Sequence, residues 1–551
     1  MALKFALALG AAMVLAAPSA LGSDPTVAGL GFICGAENPT AAARTAGQMI
    51  PDVGTETFKV DTANPDAQAW FNQGVQLYHA FYHEEAKAAF AKAAELDPTC
   101  ALCAWGHSLS LGATLNYPVS PAETAKALTI ADHAATLVKP GDDRARALIA
   151  ALQGRYQPTP PKEGREQSFG RALDAIYVKW PDDEGIGAMT AHVLLIPARQ
   201  DDMSGLPRGE AILKGILARH PDDAAAIHYY IHATEFARHA GEAEPYAQRL
   251  EGLAPNASHL VHMAAHTFMH VGRYEDVALV DAEALQVDAN LRRNTNESGL
   301  TGGQRYYMHN YLFGLAGAMM AGDGRLAVKY ADHGPIAFDK NAPADRRTTV
   351  RARGLVALGR YAPDRALAVP EAADDPRIVK LYRHYARGEA YAAKGDAVGV
   401  MRESEALAVL SGEASKANET GNVQLAAIAH DVLAGRAAML TGASDAAAEH
   451  FAAATAAQEK AFPFAKNFDP PPWWYPVRRS LAAAHLKAGR YDAAAKEANA
   501  SLADWPRDAL ALRILAQAEA KQGKPADAKA HAAQARREWR GDLARTPINL
   551  S

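Results

Sequence analysis

Between Trp70 and Pro98 the chain places Gly74, Leu77, Ala86, Phe90 and Ala93 at spacings that fit a pair of antiparallel helices. Small residues at 74 and 86 let two helix axes approach, aromatic residues at 70 and 90 fill the space between neighbouring pairs, and Pro98 ends the second helix. The order recurs at Gly272-Arg273-Tyr274 with Val277 and Ala284, at Gly395 with Gly388 and Tyr391, and at Gly489-Arg490-Tyr491 with Ala494 and Pro506. Turn residues and terminating prolines mark about a dozen pairs, beginning near 67, 101, 143, 184, 224, 258, 308, 345, 381, 428, 475 and 509. No such unit can bury its apolar face alone. The expected fold is therefore an all-α solenoid of stacked helix pairs.

The period lapses at Gln157 to Gly164, Arg199 to Gly209, Asn290 to Gln304 and Ala461 to Pro476, where loops on the rim or inserts into the groove are expected. Gly and Asn cluster between Arg292 and Gly303, which predicts a hinge there, between an N-terminal solenoid over 67–300 and a C-terminal one over 301–551. Ahead of the repeats, residues 23–66 read as an extended arm. Residues 1–22 pair Lys4 with an apolar run from Phe5 to Ala17 and end in Ala20-Leu21-Gly22, the pattern of a cleaved secretory signal. The mature chain is expected to be exported, periplasmic or secreted, and soluble, with no second apolar segment near 20 residues. A net charge of −5 gives no field for holding nucleic acid or an anionic membrane, so both are excluded as partners. In an oxidising compartment the three cysteines predict a disulfide from Cys34 to either Cys100 or Cys103, pinning the arm to the first repeats.

Seven of the 20 histidines fall between Ile227 and Val271: His228, His232, His239, His259, His262, His266 and His270. His228 and His232 stand i,i+4, on one helix face, and His262 and His266 repeat this 34 residues later. That separation matches a helix-turn-helix repeat, so stacking brings the pairs face to face. Each belongs to a first helix, the helix that lines the concave side of such a solenoid, so the histidines are expected to face the groove. Two such pairs reach a common cation, and neutral imidazole suits Zn, Cu, Ni or Fe. We expect a transition-metal site, with Cu or Zn as the leading ions, on His228, His232, His262 and His266, joined by His259 and His309. Glu235, His270 and His192 are expected in support, with Glu235 also available as a base if the site is catalytic. His239 reads as a solvent-exposed bystander at a turn. His79 and His83 read as polar groups far along the solenoid, and His384 and His485 as packing residues. Equally, Tyr229, Tyr230 and Phe268 among the histidines would suit a groove that binds a peptide or protein partner.

Together the segments FNQGVQLYHAFYHEEAKAAFAKAAELDPTCALCAWG, HYYIHATEF, HLVHMAAHTFMHVGRY, YYMHN and PPPWWYPVRRSLAAAHLKAGRY resemble a group of exported bacterial tetratricopeptide-repeat proteins of poorly defined function. The resemblance implies an α-solenoid and marks His79, His228, His232, His259, His262, His266 and His309. It supplies no reaction. Two departures stand out: Ala264-Ala265 where relatives often carry Pro-Ser, and Leu312 where they often carry a further histidine.

Three functions follow from these residues: transition-metal binding by the histidine cluster, a non-catalytic scaffold for a peptide or protein, and a metal-dependent hydrolase or oxidase. The chain has no phosphate loop, nucleotide fingerprint, nucleophile elbow or HExxH helix.

Overall fold

A computed structural model describes residues 48–295, 302–337, 344–463 and 472–551. Among these there is no strand, and helices follow one another in pairs. The first four pairs are α1 (Pro65–His79) with α2 (His83–Leu96), α3 (Ala101–Ser110) with α4 (Pro121–Leu137), α5 (Asp143–Arg155) with α6 (Arg165–Lys179), and α7 (Glu184–Leu195) with α8 (Leu206–Arg219). Helix α9 (Ala224–Phe236) is answered only by short turns, Glu244–Ala247 and Leu250–Leu253 among them. Next come α10 (Ser258–Val271) with α11 (Tyr274–Thr295), α12 (Gly302–Met320) with α13 (Gly324–Ala337), and α14 (Ala344–Tyr361) with the short Pro363–Ala368. The last four pairs are α15 (Arg377–Ala393) with α16 (Ala397–Lys416), α17 (Thr420–Leu440) with α18 (Ser444–Ala461), α19 (Arg478–Lys487) with α20 (Tyr491–Asp504), and α21 (Ala509–Lys521) with α22 (Pro525–Glu538). The dozen starts expected from turn signals therefore hold, most within a few residues. The largest offset is at α17, which begins at Thr420 rather than near 428 because Thr420 to Ile428 continue its buried face.

Local chemistry sets the helix ends. Asn64, Asp142, Asp183, Asp223, Asp396 and Asp508 each accept main-chain N–H groups at the start of a first or second helix. Gly272 ends α10 at φ +78°, and a Cβ there would overlap the Pro506 carbonyl, so the turn needs glycine for both conformation and close approach. This contact also seats the α20–α21 turn against the turn that follows α10.

Phe90 is the packing centre of the first repeats. A Cβ at Gly74 would lie 2.7 Å from its ring and one at Gly106 2.6 Å, so both glycines admit the same phenyl group. Phe71 meets it edge-on at 5.0 Å and is fully buried, whereas Trp70, the expected filler, is only partly buried. Burying each phenyl contributes roughly 1.5–3 kcal/mol. Helix α17 is long and apolar enough to cross a membrane by length and composition, a segment the sequence reading passed over. Its Leu425, Ile428, Val432 and Leu433 are fully buried between its neighbours.

The described part of the arm is extended and held by side-chain amides on one face of α1. The Phe58 N–H donates to Asn72 (3.1 Å), the Val60 N–H to Gln68 (3.0 Å), and Gln76 donates to the Glu56 carbonyl (2.9 Å). The Glu56 carboxylate in turn accepts the Ala225 N–H at 2.6 Å, tying the arm to the start of α9. Cys100 and Cys103 are bonded to each other, which overturns the expected link from Cys34. The reason is local: Cys100 caps α3, its sulfur accepts the Cys103 N–H, and the two Cα atoms lie 5.2 Å apart on one helical turn. Residues 1–22, most of the arm, Cys34 and the centre of the expected hinge at Arg292 to Gly303 lie outside the described residues. On either side of that segment, α11 and α12 pack along each other.

Candidate metal centre

Helices α9, α10 and α12 are successive first helices and bring six histidines together as two groups of three. His228 and His232 on α9 meet His259 on α10, and His262 and His266 on α10 meet His309 on α12. Within each group one ring nitrogen per histidine lies within 4.8 Å of the others. His228 Nε2 and His259 Nε2 are 3.2 Å apart, as are His266 Nε2 and His309 Nε2. Two imidazoles bound tetrahedrally to one ion at about 2.0–2.1 Å place their nitrogens about 3.3 Å apart. The expected pairing of His228, His232, His262 and His266 around one cation thus resolves into two neighbouring triads, with His259 and His309 as the third members. Helix α12 gives the second triad one ring, His309.

In four of the six rings the nitrogen facing away from the triad has a defined neighbour. His228 Nδ1 stands 2.6 Å from the His79 carbonyl; a carbonyl only accepts, so Nδ1 carries the proton and Nε2 keeps its lone pair. His262 Nδ1 is 2.5 Å from Asp281 Oδ1, and His266 Nδ1 is 2.9 Å from Glu235 Oε1. The other oxygen of Glu235 is 3.5 Å from His232 Nδ1. One carboxylate therefore backs a ring in each triad. His232 Nε2 and His262 Nε2 are buried and have no hydrogen-bond partner. An orphaned ring nitrogen inside a dry core carries a desolvation cost that coordination of a cation would offset.

Burial keeps three of the rings neutral. Burial, followed by the neighbouring imidazoles, holds His228, His259 and His262 well below the ordinary histidine range. For Glu235, burial pushes upward, but the charge of His266 and hydrogen bonds from His232, His266 and His270 outweigh it and hold the carboxyl well below its usual value. Burial raises Asp281 well above the carboxylate range.

The groove expectation is corrected. The six rings are 0–2% exposed, because the turn of the first repeat and helix α12 close over them. Phe81, in that turn, packs its ring 4.4 Å from His228 and 5.0 Å from His259 by centroid distance, and Phe313 stands 5.0, 4.7 and 4.9 Å from His262, His266 and His309. Phe81 holds φ +61°, a left-handed conformation unusual for a bulky residue, and that turn aims the ring at the triad. His79 and His83 are likewise not remote: His79 Nδ1 meets the Tyr229 hydroxyl at 2.9 Å, and His83 lies beside Tyr117. The superhelix brings the first repeat onto α9, which spacing along the chain does not reveal.

Other expected members fall outside the triads. His192 accepts the Leu115 N–H at 3.2 Å and stacks on Tyr229. His270, 22% exposed, lies 3.5 Å from Glu235. His239 pairs with Glu210 in a surface group with Glu242, where Lys214 already sits 2.7 and 2.9 Å from the two carboxylates, so an ammonium fills the role a metal would play. Sequence reasoning missed Asp281, Phe81 and Phe313. An aspartate within the apolar run VALVDAEAL was the available signal for the first.

No family model matches the sequence, and no curated protein does. Among solved structures, the chain is similar to the human IFIT1 dimer with m7Gppp-AAAA, at 12% identity and a TM-score of 0.31, covering 87% of this chain and 96% of that one. Yeast Tom70 is similar at 14% identity and a TM-score of 0.27, covering 85% and 96%. The APC/C hetero-tetramer Cut9–Hcn1 is similar at 14% identity and a TM-score of 0.23, covering 88% and 94%. The tetratricopeptide-repeat-like solenoid itself stands on the helix order and packing described above.

Proposed function

We propose that this chain is an exported repeat-solenoid protein that binds two transition-metal ions, Cu or Zn, through His228, His232 and His259 at one site and His262, His266 and His309 at the other. The observation that carries the reading is the orientation of the rings: the outer nitrogens of His228, His262 and His266 are engaged by the His79 carbonyl, Asp281 and Glu235, while one pair of inner nitrogens in each triad stands 3.2 Å apart. Carboxylate or carbonyl support behind a histidine ligand fixes its tautomer and raises its basicity, which is the usual arrangement around a protein-bound metal. Three imidazoles form a donor set of borderline softness that suits Cu and Zn and disfavours Mg or Ca. Bound there, an ion would supply Lewis-acid or redox chemistry. Glu235 acts in this reading as a support for ligands rather than as a base, because His232, His266 and His270 all approach its oxygens. The signal-like N-terminus supports export, and the Cys100–Cys103 bond suits an oxidising compartment.

The test is the metal content of the mature chain, purified without an affinity histidine tag, by elemental mass spectrometry. About two equivalents of a transition metal, lost when His228, His232, His262 and His266 are all changed to alanine, is the expected result. A chain that takes up no Cu, Zn or Fe after incubation with each would overturn the reading.

A further inference from the structure

The triads are buried to 0–2%, so an ion must reach them through some weaker point in the wall. A cleft of about 1130 Å³ runs beside the arm and has His79 among its lining residues, whose Nδ1 is engaged by the Tyr229 hydroxyl. A second cleft, of about 540 Å³, opens between the C-terminal end of α9 and the end of α20, and it reaches Glu235 itself. Around it stand Glu242 and Asp504, with Arg238 as the one permanent cation among its lining residues.

His270 also lines this cleft. It continues the run His262, His266, His270 at i,i+4,i+8 down one face of α10, from the buried triad toward solvent. Its Nε2 is 3.5 Å from Glu235 Oε1, the same oxygen that His266 Nδ1 approaches at 2.9 Å. Glu235 Oε2, also buried, is 3.5 Å from His232 Nδ1. One carboxylate thus meets a half-buried imidazole on the solvent side and one ring of each triad on the inner side.

We propose that Glu235 and His270 form a transfer site that takes a hydrated divalent transition-metal ion from this cleft and passes it to both triads. The proposal rests on the two-triad reading. His270 supplies the first nitrogen an incoming ion meets, Glu235 supplies charge against its loss of water, and the two triads lie on either side of that carboxylate. His270 then governs the rate of loading and not the final occupancy, since it belongs to neither triad.

The probe is Co²⁺ alone, mixed by stopped flow with the chelator-stripped full chain and followed by its visible absorbance. His270→Ala is expected to bind the same amount of Co²⁺ at equilibrium but to load about 10-fold or more slowly. Ala503→Trp, which narrows the mouth without removing a donor, is expected to slow loading as well. Wild-type rates in both variants would overturn the transfer site, and so would a lower final occupancy in His270→Ala, which would make it a resident ligand. A wild-type chain that binds no Co²⁺ fails the two-triad reading instead, so the two failures are told apart.

Discussion

The His228 ring donates from Nδ1 to the main-chain carbonyl of His79, 2.6 Å away and 149 residues earlier in the chain. The bond leaves Nε2 of His228 as a lone pair facing His259, and it ties the first triad to the end of α1. The second triad has its own support in Asp281 on α11. Because each triad has its own three rings, and these two supports are separate, single ring substitutions should empty one site at a time. His232→Ala and His262→Ala are each expected to bind one equivalent of metal where the native chain binds two, and His239→Ala to bind both. Titration with elemental analysis checks this; the loss of both equivalents from either single variant would mean one shared site.

Acid should destabilise the metal-free fold steeply. Burial holds His79 at about 3 and His83 at about 3, against an ordinary value of 6.5. Folded-state values below the unfolded one mean that the unfolded chain binds the extra protons, so stability is full above about pH 6.5 and falls as pH drops toward 3. Each ring contributes about 1.4 kcal/mol per pH unit in that window, so the two together cost about 4 kcal/mol between pH 6.5 and 5. Urea unfolding of the chelator-treated protein at pH 7.5 and pH 5 measures the difference. Equal midpoints would show that these rings are protonated in the fold.

Much of this architecture was legible in the sequence because repeat packing is local. Gly74, Ala86 and Phe90 sit within one pair and their spacing reports it directly, as do Gly272, Gly395 and Gly489 at the ends of first helices. The six triad histidines were legible for the same reason, since helical periodicity and a repeat-length separation place them on successive first helices. Their division into threes was not, because it depends on the angle between stacked helices. Nor was their burial: Phe81 reaches His228 and His259 only through superhelical curvature, accumulated over the intervening repeats. Trp70 and Phe71 show the limit at single-residue scale, where one step along a helix decides which ring is buried.

Gly106 should tolerate no side chain. Its added Cβ would lie 2.6 Å from the Phe90 ring and 2.7 Å from Phe71, both fully buried and packed against each other, so neither can retreat without opening the joint between α1, α2 and α3. Alanine is normally the better helix former by roughly 1 kcal/mol. Here overpacking should reverse the sign, and Gly106→Ala is expected to destabilise by about 1–3 kcal/mol in urea unfolding. A stabilised variant would show that the ring moves freely.

Peptide mapping of the oxidised chain should find Cys100 and Cys103 in one linked peptide and Cys34 outside it. The closed loop is short, so in the chain-entropy account the bond contributes only about 2 kcal/mol, and reduction should shift the unfolding midpoint without unfolding the protein at neutral pH. A Cys34-linked peptide would restore the long-range pinning of the arm.

The supporting carboxylates make the sharpest comparison. Glu235 backs His266 in one triad and His232 in the other, whereas Asp281 backs His262 alone. Removing the charge from each, while keeping its shape, separates shared from private support. Glu235→Gln should weaken metal binding at both sites, and Asp281→Asn at the second only, each by about 10- to 100-fold as judged by competition with a chelator of known affinity. The two amides also differ in what they do to the apo fold. Burial already pushes Asp281 well above the carboxylate range, toward its uncharged form, so an amide there changes little charge in the core. Glu235 is held ionised against its burial by His266, His232 and His270, so Glu235→Gln removes a buried anion from between the two triads. Two weakened sites in Glu235→Gln beside one in Asp281→Asn would establish the shared carboxylate. Equal losses confined to one site in both variants would mean that Glu235 serves the second triad alone.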